Sequence, residues 1–75
     1  MADIDLDCKA IRCPMPIVRI AKAVKTMSPG QTLEVEATDP SFQADVEAWT
    51  RRTGNELLSF TVRDDIDVAV IQIKG

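Results

Sequence analysis

Two periodicities alternate along only 75 residues, and that order limits the fold more than any other feature. Residues 4–8, "IDLDC", alternate apolar and acidic with period two: Ile4, Leu6 and Cys8 on one face, Asp3, Asp5 and Asp7 on the other. A helical pattern follows over 14–27, with Ile17, Ile20, Ala21, Val24 and Met27 opposite Arg19, Lys22 and Lys25, and "SPG" at 28–30 stops it. "TLEVEAT" (32–38) is a second alternating strand. "TDP" then opens a second helix, with Asp39 expected as N-cap, Pro40 at the first helical position and Gly54 as the stop. Phe42, Val46 and Trp49 form its apolar stripe. "LLSFTV" (57–62) predicts a third strand with Leu58, Phe60 and Val62 on one face, and "RDDID" a turn. "VAVIQI" (68–73) is apolar on both faces, so it belongs inside a sheet and not at its edge.

The predicted order is βαβαββ: an α/β chain of the α+β two-layer sandwich kind, with two helices on one face of a four-stranded mixed sheet. Residues 1–75 make a single domain, without repeat or linker. Leu57, Val68 and Val70 are expected to leave an apolar patch on the uncovered sheet face.

Composition removes several functions. A net charge of −3 argues against direct nucleic-acid binding. Histidine and tyrosine are absent, which takes away the commonest general base and the commonest metal ligand. Two cysteines without histidine make a poor metal site, and a site completed by carboxylates is an alternative the sequence does not support, so no metal and no cofactor are expected. No apolar stretch approaches the roughly 20 residues of a membrane span, and the acidic N-terminus has no signal-peptide pattern. A cytoplasmic location is therefore expected, where thiols stay reduced.

The chemistry centres on "IRCPMPIVRI", residues 11–20. Cys13 precedes Pro14, which favours extended geometry at the cysteine, and Pro14 and Pro16 fit a helical first turn where N–H groups lack partners anyway. This predicts Cys13 at the N-cap, with the helix N–H groups aimed at its sulfur and its pKa lowered, helped by Arg12 and Lys9. At pH 7 roughly 3% of an ordinary thiol is ionised, and a drop of one unit would raise that to about a quarter. Burial as a small apolar residue is the alternative for Cys13. Cys8 shares the parity of Ile4 and Leu6 and reads as a core residue, with a second, resolving thiol as its alternative. Arg12, Met15, Arg19 and Lys22 run beside the reactive sulfur and are candidates for docking an acidic partner. Asp45 is expected on the solvated side of the second helix.

"LDCKAIRCPMPIVRIAKAV", "PGQTLEVEATDPS" and "GNELLS" together resemble the TusA/SirA-like family of small sulfur carriers, over essentially the whole chain. Cys-Pro-x-Pro at the start of the first helix is that family's defining motif. The resemblance implies a βαβαββ fold like the C-terminal domain of bacterial initiation factor three. It also implies that Cys13 accepts sulfane sulfur as a persulfide, with Pro14 and Pro16 shaping the site. The donor would be a cysteine desulfurase or a rhodanese, and the acceptor a sulfur-relay protein. Such relays serve tRNA thiolation, molybdenum-cofactor synthesis or dissimilatory sulfur oxidation. Met15 stands where tRNA-thiolation members often carry an acidic residue, Ala10 where glycine is common, Asn55 where a histidine is usual and Cys8 where alanine is common. A sulfurtransferase or persulfide carrier is expected rather than a stand-alone enzyme, as a monomer. A thiol-redox protein cycling a Cys8–Cys13 disulfide and a non-catalytic regulatory module are the competing readings.

Overall fold

A computed structural model of the chain describes residues 2–13 and 15–74. The elements are β1 (Ile4–Cys8), α1 (Met15–Val24), β2 (Thr32–Ala37), α2 (Phe42–Thr53), β3 (Glu56–Arg63) and β4 (Ile66–Gln72). The strands form one mixed sheet in the order β1-β2-β4-β3. β1 and β2 are parallel, and the β2–β4 and β3–β4 pairs are antiparallel. The doubly apolar β4 is internal, as its sequence requires.

Both helices cover the face carrying Leu33, Val35, Ala37, Ala69 and Ile71, all fully buried. Ile20 of α1 and Phe42, Val46 and Trp49 of α2 close this core. The Phe42 ring lies 6.1 Å from that of Phe60, tying α2 to β3. The open face carries Asp5, Asp7, Glu34 and Glu36 in parallel register. Lys9 bridges Asp7 at 3.3 Å and Glu36 at 3.2 Å there.

Four local expectations are corrected. The first helix ends at Val24, and Lys25, Thr26 and Met27 continue as tight turns whose N–H groups donate to carbonyls three residues back. The second helix starts at Phe42, not at Pro40. Its N-cap is Ser41, and Asp39 contributes its carbonyl, which accepts from the Phe42 N–H at 3.0 Å. In β3, Leu57 pairs with Ile71 and Ser59 with Val70, so Leu58 is bulged out of register. The bulge turns Leu57 and Phe60 toward the core and leaves Leu58 exposed; Val62, expected inside, is 62% exposed at the strand's far end. Leu57 is thus absent from the open face, where Val68 is buried and Val70 half-buried, so the expected patch loses Leu57.

Gly54 ends α2 as expected, at φ 78° with its N–H donating to Thr50. Asp64 and Asp65, both at positive φ, make the two-residue β3–β4 hairpin turn.

Candidate functional site

Because β1 and β2 are adjacent and parallel, the loops leaving their C-terminal ends emerge side by side. One loop leads into α1 and the other into α2. The turn after β1 has the Ile11 N–H donating to the Cys8 carbonyl, with Ala10 in the left-handed region at φ 63°. The Ala10 N–H donates to the Thr38 hydroxyl at 2.9 Å, which ties the two loops together. In open α/β sheets this end, beyond the carboxyl termini of parallel strands, is where sites form.

Cys13 is exposed on the first of these loops. The Met15 N–H donates to the Arg12 carbonyl at 2.9 Å, so the chain is already turning at the cysteine. Pro16 is fully buried and anchors the first turn of α1 from inside. Pro14, the other proline of the motif, lies outside the described residues.

The thiol's polar neighbours come from the second helix and the loop before it. The Cys13 Sγ lies with a carboxylate oxygen from each of Asp39 and Asp45 in a group spanning no more than 4.8 Å. The Ser41 hydroxyl donates to Asp45 at 3.3 Å and also to Asp39. The Asp45 carboxylate beside the thiol holds the Cys13 pKa above its ordinary value; Ser41 opposes this, while partial desolvation and the charges of Asp45 and Asp39 add to it. This corrects the expected depression. The nearest charges are carboxylates, and Lys9, expected to favour the thiolate, is instead paired with Asp7 and Glu36. Asp67 shares this acidic end: burial, then the charge of Asp39, pushes its carboxyl upward.

Cys13, Asp39 and Asp45 could together reach one cation. They supply three ligand atoms, whereas a structural zinc takes four.

The remaining candidates divide into separate places. Met15, Arg19 and Lys22 line one open hollow of about 490 Å³ with Leu6, Val18 and Ala23. Arg12 lines a different one, about 570 Å³, between Ala10–Ile11 and Thr38–Pro40. Cys8 is fully buried at the end of β1, where burial raises its pKa, and both cysteines are free thiols. Ser41 and Asp45 are the site residues that sequence reasoning missed. Their only local signal is the spacing of four residues, which puts them on the same helical face.

A family model described as "Sulfurtransferase TusA" matches residues 4–74. YrkI of Bacillus subtilis is 48% identical over 61 residues, covering 81% of each chain. Sulfur carrier protein TusA of Allochromatium vinosum is 48% identical over 60 residues, covering 77% of this chain and 79% of that one. YrkF of B. subtilis is 45% identical over 65 residues, but the match covers only 35% of its length. Among solved structures, a SirA-like protein from Desulfitobacterium hafniense superposes with a TM-score of 0.83 over 96% of this chain and 99% of its own; at 18% identity the likeness is one of fold. With the family model spanning nearly every residue and relatives at 48% identity across most of their length, this chain belongs to the TusA/SirA-like sulfur-carrier family.

Proposed function

We propose that this protein is a sulfur carrier that accepts sulfane sulfur as a persulfide on Cys13 and passes it to a partner protein. One observation carries the assignment: of the two cysteines, Cys13 is exposed and Cys8 is completely buried. A carrier's sulfur must meet the sulfur of another protein, so only Cys13 meets the steric requirement.

Loading is a sulfur-to-sulfur displacement. The Cys13 sulfur attacks the outer sulfur of the donor's persulfide, the new S–S bond forms and the donor's own S–S bond breaks. The electron pair leaves on the donor's cysteine sulfur. Starting from a Cys13 thiol and a donor persulfide anion, the products are a Cys13 persulfide anion and a donor thiol, so proton and charge balance. Unloading repeats the step, with an acceptor thiolate attacking the outer sulfur held by Cys13. No histidine is needed at either stage.

The donor is a desulfurase or rhodanese and the acceptor a relay protein, serving tRNA thiolation, cofactor synthesis or dissimilatory sulfur oxidation. Met15 and Val18 are exposed beside Arg19 and Lys22 on α1. An acidic partner surface with an apolar side chain suits that hollow, with no direct contact to nucleic acid. A Cys8–Cys13 redox cycle would need Cys8 to leave the core, and its burial weighs against that reading.

Intact mass spectrometry tests the proposal on reduced protein exposed to a desulfurase with cysteine, to a rhodanese with thiosulfate, and to polysulfide. A species one sulfur atom heavier, kept in Cys8→Ala and lost in Cys13→Ser, is the expected result. Absence of added sulfur with every donor would refute it.

A further inference from the structure

A bare sulfur relay has no use for a carboxylate on its nucleophile, yet this chain brings one there across the fold. Asp45 sits in the first turn of α2, 32 residues from Cys13 in sequence, on the helix that follows the neighbouring parallel strand. It is half-buried, accepts from the Ser41 hydroxyl at 3.3 Å and sets a carboxylate oxygen within 4.8 Å of the Cys13 sulfur. Asp39, from the β2–α2 loop, shares Ser41 and lies inside the same 4.8 Å group. The elements around the sulfur also contribute Ile17 of α1, and Ala48 and Arg52 of α2, which line a hollow of about 190 Å³ with Cys13 and Asp45. Arg12 and Arg52 are the nearby cations, but ion pairs among the described residues are made by Lys9 and Lys74. Thus neither arginine neutralises Asp45 or Asp39 in a direct pair.

We propose that Asp45 is a positioning residue that keeps the proton on Cys13 in the free carrier, so that the resting nucleophile is a thiol and not a thiolate. The proposal rests on Cys13 being the sulfur-accepting residue. Ionising the thiol would set three negative charges within 4.8 Å of one another at a site lacking a paired cation. Keeping the proton leaves a neutral thiol beside the two carboxylates, which share the Ser41 hydroxyl between them. The proton is surrendered when a donor is present, because the donor's departing sulfur is itself the base that takes it. Small electrophiles in solution offer no such base and react slowly. Reactivity is thereby tied to the arrival of a persulfide.

The test is the pH dependence of Cys13 alkylation by iodoacetamide, followed by mass spectrometry in wild type, Asp45→Asn and Asp39→Asn. Replacing the Asp45 carboxylate by an amide keeps the size of the side chain and removes its charge. The Asp45→Asn profile should move to lower pH, with alkylation several-fold faster at pH 7, and Asp39→Asn should shift it less in the same direction. An Asp45→Asn profile superimposable on wild type in a folded variant would overturn the assignment. A readout in the unmodified protein covers the case where that variant does not fold. The Asp45 carboxyl ¹³C resonance should show a second step at the pH where Cys13 ionises, and its absence would count equally against the proposal. Sulfur loading of the wild type is scored separately. Failure to load with a shifted Asp45→Asn profile would sink the carrier reading alone, and normal loading with unshifted profiles would sink only the role of Asp45.

Discussion

Ser41 and Asp45 stand one helical turn apart on α2, and the Ser41 hydroxyl reaches the Asp45 carboxylate at 3.3 Å while also donating to Asp39. Ser41 is the N-cap by position, but its side chain makes no capping hydrogen bond. The hydroxyl turns instead toward the group formed by Asp39, Asp45 and Cys13.

Ser41→Ala separates these two roles. A capping serine is worth about 1 kcal/mol, and this one forgoes that bond, so chemical denaturation should register a loss of under about 0.5 kcal/mol. Ser41 lowers the Cys13 pKa against the pull of Asp45, so its removal should raise that pKa further. Iodoacetamide alkylation at neutral pH should slow, opposite to the effect of Asp45→Asn.

Stability should fall with alkaline pH through the thiols. Cys13 is held protonated by Asp45 and Cys8 by burial, so both folded-state values lie above the unfolded ones. Each contributes stability that is fully present below the unfolded thiol pKa, about 8.5, and is lost as pH rises through the folded value. Urea midpoints measured from pH 7 upward should decline, and Cys13→Ser should flatten part of that decline.

Ala10 occupies φ 63°, a conformation costing a non-glycine residue roughly 1–2 kcal/mol. Ala10→Gly relieves this strain and gives back a few tenths to 1 kcal/mol through the freer unfolded chain. A net gain of about 0.5–1 kcal/mol, seen as a higher melting temperature, is expected. Sulfur loading should not change, because glycine keeps the Ala10 N–H that donates to Thr38 and ties the two loops together.

Arg19→Glu with Lys22→Glu inverts the charge of the α1 hollow without touching Cys13. Binding to an acidic donor or acceptor should weaken roughly tenfold or more by calorimetry, mainly through slower association at low salt. The iodoacetamide profile should be unchanged. Unaltered affinity for every partner that loads Cys13 would move the docking surface elsewhere, with the Arg12 hollow next to be tried.

The element order is readable because each segment buries one face, and burial imposes a period. Legibility fails where a backbone event breaks the period. The Leu58 bulge costs one residue of register, so Leu57 replaces Leu58 beside Phe60. Strict alternation has no means of anticipating that slip. Cys13 is legible through Cys-Pro-x-Pro, but its electrostatics are not. Reasoning from α1 alone supplies a helix N-terminus and two nearby cations, whereas the fold supplies Asp45 and Asp39 from an element about thirty residues away. That proximity follows from β1 and β2 pairing in parallel as neighbours, a choice of strand order that local pattern does not encode. Asp39 reads as a cap because Asp-Pro commonly opens helices. Here the turn from Asp39 to Phe42 delays α2, and Ser41 takes the position.

The sealing of Cys8 bears on how faithfully cargo is kept. A persulfide with a second thiol within reach is short-lived: that thiol attacks the inner sulfur, closes a disulfide and expels hydrosulfide. With its other cysteine locked between the sheet and the helices, a chain loaded at Cys13 lacks that internal route of discharge. Its sulfur would leave only by attack from outside, one atom per encounter.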